Sequence, residues 1–260
     1  MINLLKSLWN SMTGLSAQIQ AIDVTANNVA NISTPGFKRQ SVGFSELVRQ
    51  RMVDQGLPVT RENADRVTQG SGTMVSSTRR QFAPGTHVYT GRNLDLAIAG
   101  RGFFQLTGEN GETFYTRDGG FTIDNDGRIT NTRGLALLDG ELPQNYSDLM
   151  IDEAGRVSCR DENGDRVEIG QIELAVFDNP NGLTAAGDNL FTAAPNTEPE
   201  SMVPGEEGVG SIKQGYLENS NVDIVMEIQL LIEAQRSFQL NAKSMTTVDQ
   251  LWNITNNLQK

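Results

Sequence analysis

Apolar residues in the first part of the 260-residue chain recur at alternating spacings of three and four. The stripe consists of Leu5, Leu8, Met12, Leu15, Ile19, Ile22, Ala26 and Val29. This spacing places all of them on one face of an α-helix. Thr34-Pro35-Gly36 ends the pattern, because proline cannot continue the helical hydrogen bonds and restricts the residue before it. The pattern predicts a helix from about Asn3 to Ile32.

A second stripe lies in the last part of the chain and has a period of seven residues. It consists of Ile224, Leu231, Phe238, Met245 and Trp252, with Ile228 and Ala242 between them and Gln235 and Asp249 interrupting it. Ser220, followed three residues later by Asp223, resembles a capping box and predicts the start of a helix. About 35 helical residues would span ~50 Å, similar to the ~45 Å of the first helix.

Between about residues 76 and 216 the pattern changes to apolar and polar alternation with a period of two. The predicted strands are 102–107, 112–117, 120–124, 127–132, 134–138, 156–160, 166–169 and 171–177. Asn110-Gly111 and Asp126-Gly127 supply the positive φ angles that tight hairpins need. We therefore expect an antiparallel β domain. Residues 45–75 fit neither pattern and are interpreted as an extended arm, and residues 178–211 as long exposed loops.

These patterns predict an α+β protein in which terminal heptad helices pair as a coiled-coil-like core and an antiparallel β domain is inserted between them. The expected domains are an assembly core (1–36 and 221–260), a connecting arm (37–75) and an acidic β domain (76–220). The predicted self-assembly residues are Leu5, Leu8, Met12, Leu15, Ile19, Ile22, Val29, Ile224, Ile228, Leu231, Phe238, Met245 and Trp252. Ordering a residue costs ~1 to 2 kcal/mol and burying a large side chain returns ~1.5 to 3, so we expect these helices to order fully only on assembly.

Charge is distributed unevenly along the chain. Residues 1–34 carry only Lys6 and Asp23, and fourteen of them are Asn, Gln, Ser or Thr. Residues 224–260 also sum to zero, so the whole formal charge of −11 lies in the middle. A solvated helical face is usually rich in Glu and Lys, so the weakly charged faces indicate neighbours on several sides.

The acidic balance argues against binding to nucleic acid, which needs clustered Lys and Arg, and against an anionic membrane surface. No stretch approaches the ~18 to 20 apolar residues of a membrane span. Residues 1–30 also lack the continuous apolar core of a secretory signal peptide. If the protein leaves the cytoplasm, we expect another route.

Candidate chemistry is sparse. His87 is the single histidine and Cys159 the single cysteine, so clustered His or Cys metal sites and an internal disulfide are excluded. The segment from Asp124 to Gly127 suggests a calcium loop, but Arg133 stands where a bidentate Glu is required. We predict no metal, no cofactor and no catalytic residue.

An enzymatic alternative stays open because the chain has 32 carboxylates, enough for a hydrolase acting on a polymer such as peptidoglycan. No particular pair stands out. Asp118, Asp124 and Asp126 border glycine-rich hairpin tips and are typical turn residues.

Four segments resemble signatures of flagellar rod and hook proteins, in the order in which that family carries them. They are Asn27–Arg39, Leu94–Phe104, Tyr115–Phe121 with Asp124–Gly127 following, and Gln214–Asp223. The resemblance covers essentially the whole chain. The chain length and the Phe44-Ser45-Glu46-Leu47 segment are most similar to the distal-rod members; a proximal rod or hook subunit is the alternative within the family.

The resemblance implies a structural subunit that polymerises into a helical tube, transmits torque and catalyses nothing. It implies a place in the flagellar basal body, crossing the periplasm, with export by the flagellum's own apparatus. Its expected partners are copies of itself, neighbouring rod and hook proteins, and the envelope ring proteins that surround the rod as a bushing. Heterologous contacts that do not close into a ring generate such open filaments. A secreted coiled-coil adhesin is a coarser alternative.

Overall fold

The computed structural model describes residues 2–47, 50–51, 68–108, 110–143, 145–162, 164–194 and 197–258. The chain forms two compact units. We call residues 1–30, 40–81 and 223–260 the helical unit, and residues 31–39 and 82–222 the β unit. Each unit is therefore built from segments that are far apart in the sequence.

Two long helices dominate the helical unit. Helix α1 spans Ile2–Ala30 and α2 spans Ile224–Leu258, so the predicted pair of terminal helices is confirmed. Helix α1 packs against α2 and against strands β1 and β4. The strands of this unit are β1 (Gln40–Glu46), β2 (Gln50–Arg51), β3 (Thr68–Gln69) and β4 (Thr73–Arg80), with β1 antiparallel to β4 and β2 antiparallel to β3.

The predicted arm of residues 45–75 falls largely outside the described residues, which leave out 48–49 and 52–67. Its described flanks are paired strands. Pairing of β1 with β4 slips in register between Gly43 and Phe44, so a bulge interrupts the ladder.

The start of α2 differs in detail from the predicted capping box. The Asp223 side chain accepts hydrogen bonds from the backbone N–H groups of Val225 (2.8 Å) and Met226 (3.3 Å). Asp223 is therefore the N-cap, since its carboxylate satisfies amides that have no partner within the helix. The Ser220 hydroxyl instead accepts from the N–H of Val222.

The β unit is antiparallel throughout its described strands. They are β5 (His87–Tyr89), β6 (Leu96–Ala99), β7 (Phe103–Thr107), β8 (Thr113–Thr116), β9 (Thr122–Ile123), β10 (Arg128–Thr130), β11 (Ala136–Glu141), β12 (Ser147–Ile151), β13 (Arg156–Arg160), β14 (Arg166–Gln171), β15 (Leu174–Val176), β16 (Thr184–Gly187), β17 (Leu190–Thr192), β18 (Glu200–Met202), β19 (Ser211–Gln214) and β20 (Tyr216–Glu218). The strands predicted between residues 102 and 177 are confirmed as β7 to β11 and β13 to β15. The largest sheet has the order β16-β17-β8-β7-β11-β10-β9, and β15 joins β7 to β18.

Smaller sheets complete the β unit. Strands β12, β13 and β14 form a meander, β19 pairs with β6, and β20 pairs with β5. The main apolar core includes Leu96, Ile98, Phe104, Phe121 and Ile129, all nearly inaccessible to solvent. The rings of Phe104 and Phe121 meet edge to face at 5.3 Å. A second core forms around Phe103, Tyr115, Ala175, Phe177 and Phe191.

The composition of residues 178–211 predicts long exposed loops, but the structure differs. Strands β16 and β17 form a hairpin within them, and Leu190 and Phe191 are buried. The residues at its tip, Asp188 and Asn189, have φ angles of 48° and 57°. Those positive values are typical of a tight two-residue hairpin turn. Asp188 and Asn189 are therefore the turn of a hairpin.

Candidate assembly surface and buried charged cluster

The fully buried residues of α1 and α2 are mostly small or polar and lie outside the predicted apolar stripes. They are Ser11, Gly14, Ala17, Thr25 and Asn28 on α1, which packs against α2, β1 and β4, and Glu227, Ala234 and Val248 on α2. A Cβ atom at Gly14 would come within 2.9 Å of the Asn241 amide nitrogen, so the helices approach closely there. Small residues permit such close approach because no side chain separates the backbones.

Asn28 joins three segments of the helical unit. Its amide nitrogen donates to a carboxylate oxygen of Glu227 at 3.0 Å and to the carbonyl of Gln40 at 2.7 Å. Its amide oxygen accepts from the Gln40 backbone N–H at 2.9 Å. The end of α1, the beginning of β1 and the beginning of α2 are thus held together. Asn28 and Glu227 are 1 % and 0 % exposed, so loss of Asn28 would remove hydrogen bonds from buried polar groups.

Gly14 and Asn28 also define the register of the two helices. Gly14 faces Asn241 and Asn28 faces Glu227, so both pairs are fourteen residues apart on each helix. Fourteen residues are about four turns, which keeps the contacts on one face of each helix. The residue numbers rise on α1 as they fall on α2, so the helices run antiparallel.

Large apolar side chains of both helices remain exposed. Among the predicted self-assembly residues, Met12, Ile19, Ile224, Ile228 and Met245 are 39–58 % exposed. The half-buried members are Leu8, Leu15, Ile22, Val29, Leu231, Phe238 and Trp252, and the side chain of Leu5 lies outside the described part. The predicted stripes are therefore not the most buried positions of the two helices. We call the exposed apolar side chains of α1 and α2 the apolar helix surface.

The heptad pattern missed several members of this surface. They are Trp9, Val225, Met226, Ile232, Leu240, Leu251 and Ile254, of which Val225 (72 %) and Leu240 (67 %) are the most exposed. A search restricted to every third and fourth position passes over them. A count of every large apolar residue on the helices, whatever its spacing, would have found them. Few Glu or Lys residues lie between them, which also indicates that this surface is not built for solvent.

The two units differ sharply in charge. By sequence, the helical unit has ten Lys or Arg against nine Asp or Glu, a net charge of +1. The β unit has eleven Lys or Arg against 23 Asp or Glu, a net charge of −12. Apolar surface is thus concentrated where like-charge repulsion between copies would be weakest.

A second candidate site, within the β unit, is a buried cluster of three charged side chains. The ammonium group of Lys38 lies 2.5 Å from one carboxylate oxygen of Glu218, and both side chains are fully inaccessible to solvent. The Arg117 guanidinium lies 3.4 Å from the other oxygen and over the ring of Phe103, 5.2 Å from its centroid. We call these residues the Lys38–Glu218–Arg117 cluster.

Backbone groups complete the cluster. The N–H of Gly85 donates to the Glu218 carboxylate at 2.8 Å, and Lys38 donates to the carbonyl of Ala83 at 3.0 Å. Arg117 donates to the carbonyl of Gly100 at 2.9 Å. Burial lowers the pKa of Lys38 and of Arg117, and Glu218 opposes that shift in both cases by stabilising the cation.

Two segments of the β unit that are far apart in the sequence, residues 36–39 and 218–221, meet beside this cluster. The N–H of Gly36 donates to the backbone carbonyl of Glu218 at 2.8 Å. The Asn221 side chain accepts from the N–H of Arg39 (2.7 Å) and donates to the carbonyl of Ala83 (2.9 Å). Gly36 has a φ of +68°, and a Cβ there would lie 2.5 Å from the Asp118 nitrogen, so glycine is required. All four sequence signatures therefore meet at this cluster, the second of them through Gly100 and Phe103, although they gave no sign that their charged residues pair.

The residues weighed for catalysis or metal binding have ordinary environments. The ring of His87 contacts the carbonyl oxygen of Ile98 at 3.2 Å, and Arg128 pairs with Asp124 and Asp126. Burial raises the pKa of the Cys159 thiol. Within the described ranges, no group of three or more His, Cys, Asp or Glu side chains could hold a metal ion. No helix in that part of the chain is long and apolar enough to cross a membrane.

Comparison with known sequence families finds three matches along the chain. Residues 8–38 match the flagella basal body rod protein family, and residues 97–159 match the flagellar hook protein FlgE/F/G D1 domain. Residues 213–258 match the flagellar basal body rod FlgEFG protein C-terminal family. The first match includes Asn28 and Lys38, the second Arg117, and the third Glu218 and Glu227.

Individual relatives agree with these matches over nearly their full length. The flagellar basal-body rod protein FlgG of Borreliella burgdorferi is 37 % identical over 265 residues, covering 99 % of this chain and 100 % of the relative. The protein of the same name in Agrobacterium fabrum is 38 % identical over 257 residues, covering 96 % and 98 %. That of Caulobacter vibrioides is 37 % identical over 260 residues, covering 98 % and 99 %.

Proposed function

Because this chain belongs to the flagellar basal-body rod protein family, we propose that it polymerises through its apolar helix surface into the tubular distal rod. The chain is a structural component of the flagellar basal body. In the proposed polymer each subunit contacts copies of itself, and the packed wall transmits torque across the cell envelope. The terminal segments 1–36 and 221–260 are its assembly core.

The observation that carries this proposal is the exposure of large apolar side chains along both helices. A soluble protein rarely leaves contiguous apolar surface uncovered unless another molecule binds it. Val225 and Leu240 are more than two-thirds exposed. The occupant that fits is a second copy, since the surface is apolar, the helical unit is nearly neutral, and the family is one of rod proteins.

Coiled-coil-like packing is the form of contact that we propose between copies. The predicted seam residues Met12, Ile19 and Ile228 are about half exposed in the single chain. They are therefore available as knobs for helices of neighbouring subunits. By the same family relationship, we propose contacts with other rod and hook proteins, and with the envelope rings that surround the rod.

Replacing apolar side chains on this surface tests the proposal. Met12→Gln and Ile228→Gln remove apolar area that is already half exposed in the single chain, so the fold should persist. Burying the exposed half of such a side chain contributes ~0.8 to 1.5 kcal/mol, which corresponds to about a 4- to 12-fold rise in the critical concentration for polymerisation for each substitution. Sedimentation of purified full-length protein measures it.

The matched controls are Gln20→Ala and Gln229→Ala, which alter exposed polar positions on the same helices. They should polymerise at the wild-type concentration. A critical concentration unchanged in Met12→Gln and Ile228→Gln would contradict the proposed role of the apolar helix surface. Electron microscopy of the polymer adds a second test, since a straight tube is expected for a rod.

A further inference from the structure

A short segment between α1 and β1 belongs to the β unit, although the chain on both sides of it lies in the helical unit. This segment is residues 31–39, which we call the strap. Its backbone is irregular, with turns and a bend, yet its last four residues, Gly36, Phe37, Lys38 and Arg39, are all buried. An irregular segment cannot satisfy its buried backbone groups by itself, so the strap depends on partners elsewhere in the β unit.

Hydrogen bonds hold the backbone of the strap at three places. The N–H of Gly36 donates to the carbonyl of Glu218 at 2.8 Å, and the N–H of Arg39 donates to the Asn221 side chain at 2.7 Å. The side chain of Asn189, in the turn between β16 and β17, donates at 2.9 Å to the carbonyl that precedes Gly36. These partners are far away in the sequence, so the strap finds its position only on a folded β unit.

Lys38 ties the position of the strap to one carboxylate. Its side chain is fully inaccessible to solvent, lies 2.5 Å from the carboxylate of Glu218 and donates to the carbonyl of Ala83 at 3.0 Å. A lysine is almost never fully buried without a charged partner. If the pairing with Glu218 is lost, the ammonium group regains hydration only when the strap moves away.

Glu218 differs from Lys38 because it has further partners. Its carboxylate also accepts from the N–H of Gly85 at 2.8 Å and lies 3.4 Å from the guanidinium of Arg117. Departure of the strap would therefore leave Glu218 paired, whereas loss of Glu218 would leave Lys38 without its anion. We call Glu218, Arg117 and Gly85 the seat of the strap. The seat can persist when the strap is absent from it.

The apolar cores of the β unit do not depend on the strap. Among the described residues, neither the core around Phe104 nor the core around Phe103 includes a residue of the strap. Phe37 is buried outside both of them. A segment that shares no core can open at a lower free energy than the strands whose side chains form that core.

We propose that the strap is a conformational latch, in which residues 31–39 detach from the β unit and return to it as one segment. The seat and both apolar cores stay folded throughout. The Lys38–Glu218 pair closes the latch. Because the strap connects α1 to β1, a closed latch fixes that connection to the β unit and an open latch leaves it free. This inference goes beyond the proposed polymerisation and is tested on the single chain.

Lys38→Ala tests the latch in the full-length protein, because it removes the ammonium group and leaves Glu218 with its other partners. Hydrogen exchange is measured by mass spectrometry on dilute single chains. It should accelerate at least about tenfold at the N–H groups of Gly36 and Arg39, and should not change at Leu106 in the core. Unchanged exchange at Gly36 and Arg39, or equal acceleration at Leu106, would overturn the proposal.

The matched control is Ser33→Ala, at an exposed position of the same strap. It should leave exchange at Gly36 and Arg39 at the wild-type rate. Equal acceleration in Ser33→Ala and Lys38→Ala would mean that any change in the strap opens it, and would overturn the role of the Lys38–Glu218 pair.

The wild-type protein provides a second measurement, which decides the matter even if Lys38→Ala does not fold. In urea below the unfolding transition, the N–H groups of Gly36 and Arg39 should exchange together while that of Leu106 stays protected. Exchange of all three only by unfolding of the whole β unit would overturn the latch.

Discussion

The helical unit and the β unit distribute their apolar residues in opposite ways. The β unit buries its large side chains, such as Phe104 and Phe121, and exposes carboxylates. The long helices of the helical unit bury mainly small or polar residues, such as Ser11, Ala17 and Asn28, and expose leucine, isoleucine and methionine. Burial of apolar surface is the main stabilising term in folding. The β unit therefore obtains that term within one chain, whereas the helical unit leaves much apolar area exposed, as the proposed assembly through its helices requires.

The largest loss of stability confined to one unit should follow from disrupting the Lys38–Glu218–Arg117 cluster in the β unit. Glu218→Gln would leave two buried cations without their anion and should destabilise the β unit by ~3 to 5 kcal/mol. Urea unfolding monitored by near-UV circular dichroism measures this change. Adding Lys38→Met to Glu218→Gln should recover part of the loss, because it removes one of the stranded charges. A loss below about 1 kcal/mol in the single variant would contradict the cluster's role.

Truncating one apolar side chain in each unit tests the comparison itself. Phe104→Ala should destabilise the single chain by ~3 to 5 kcal/mol, because it opens a cavity in the main core. Leu240→Ala, at a 67 % exposed position, should cost less than about 0.5 kcal/mol in the single chain. It should nevertheless weaken polymerisation. Similar losses of single-chain stability in the two variants would mean that the helical unit buries Leu240 by itself.

A smaller effect is expected for Asn28, a buried polar residue of the helical unit. Asn28→Ala removes hydrogen bonds to Glu227 and to both backbone groups of Gln40, so it should cost ~1 to 3 kcal/mol. Hydrogen exchange at the first turns of α2 measures the loss locally. Gln20→Ala, at an exposed position of α1, is the control and should leave that exchange unchanged. Equal exchange in both variants would show that Asn28 does not hold the segments together.

The smallest expected effect is a pH-dependent change in the stability of the β unit. Burial raises the pKa of Asp118, an effect that the Gly120 N–H opposes and Asp95 reinforces. A carboxyl whose folded pKa lies above its unfolded value favours folding when protonated, so its contribution grows as pH falls through the folded pKa and is complete below the unfolded value. Asp118→Asn keeps the acceptor for Gly120 and removes the charge.

Asp118→Asn should therefore stabilise the β unit at pH 7 by less than about 1 kcal/mol, with the gain disappearing near pH 3. Unfolding curves at both pH values measure the difference. Asp178→Asn, at an exposed position, should show no such dependence. A gain that is the same at both pH values would contradict the assignment to Asp118 ionisation.

Much of the fold could be predicted from the chain itself. The periods of 3.6 and 2 located both helices and the strands from β7 to β15 other than β12, because local side-chain alternation reflects which face is buried. The hairpin of β16 and β17 was missed because its strands are too short to show a period. The capping residue was misplaced by three positions, since both Ser220 and Asp223 suit the role and only backbone geometry distinguishes them.

The sequence by itself determined the family, the paired helices, the antiparallel β domain and the separation of neutral ends from an acidic middle. Only the tertiary structure decided which faces of the helices meet, because periodicity shows that an apolar stripe exists but not what covers it. It also decided that Lys38, Arg117 and Glu218 meet, though Glu218 lies 180 residues from Lys38 and 101 from Arg117. No local pattern reports such a contact, since chain topology brings these residues together and burial then demands that their charges pair.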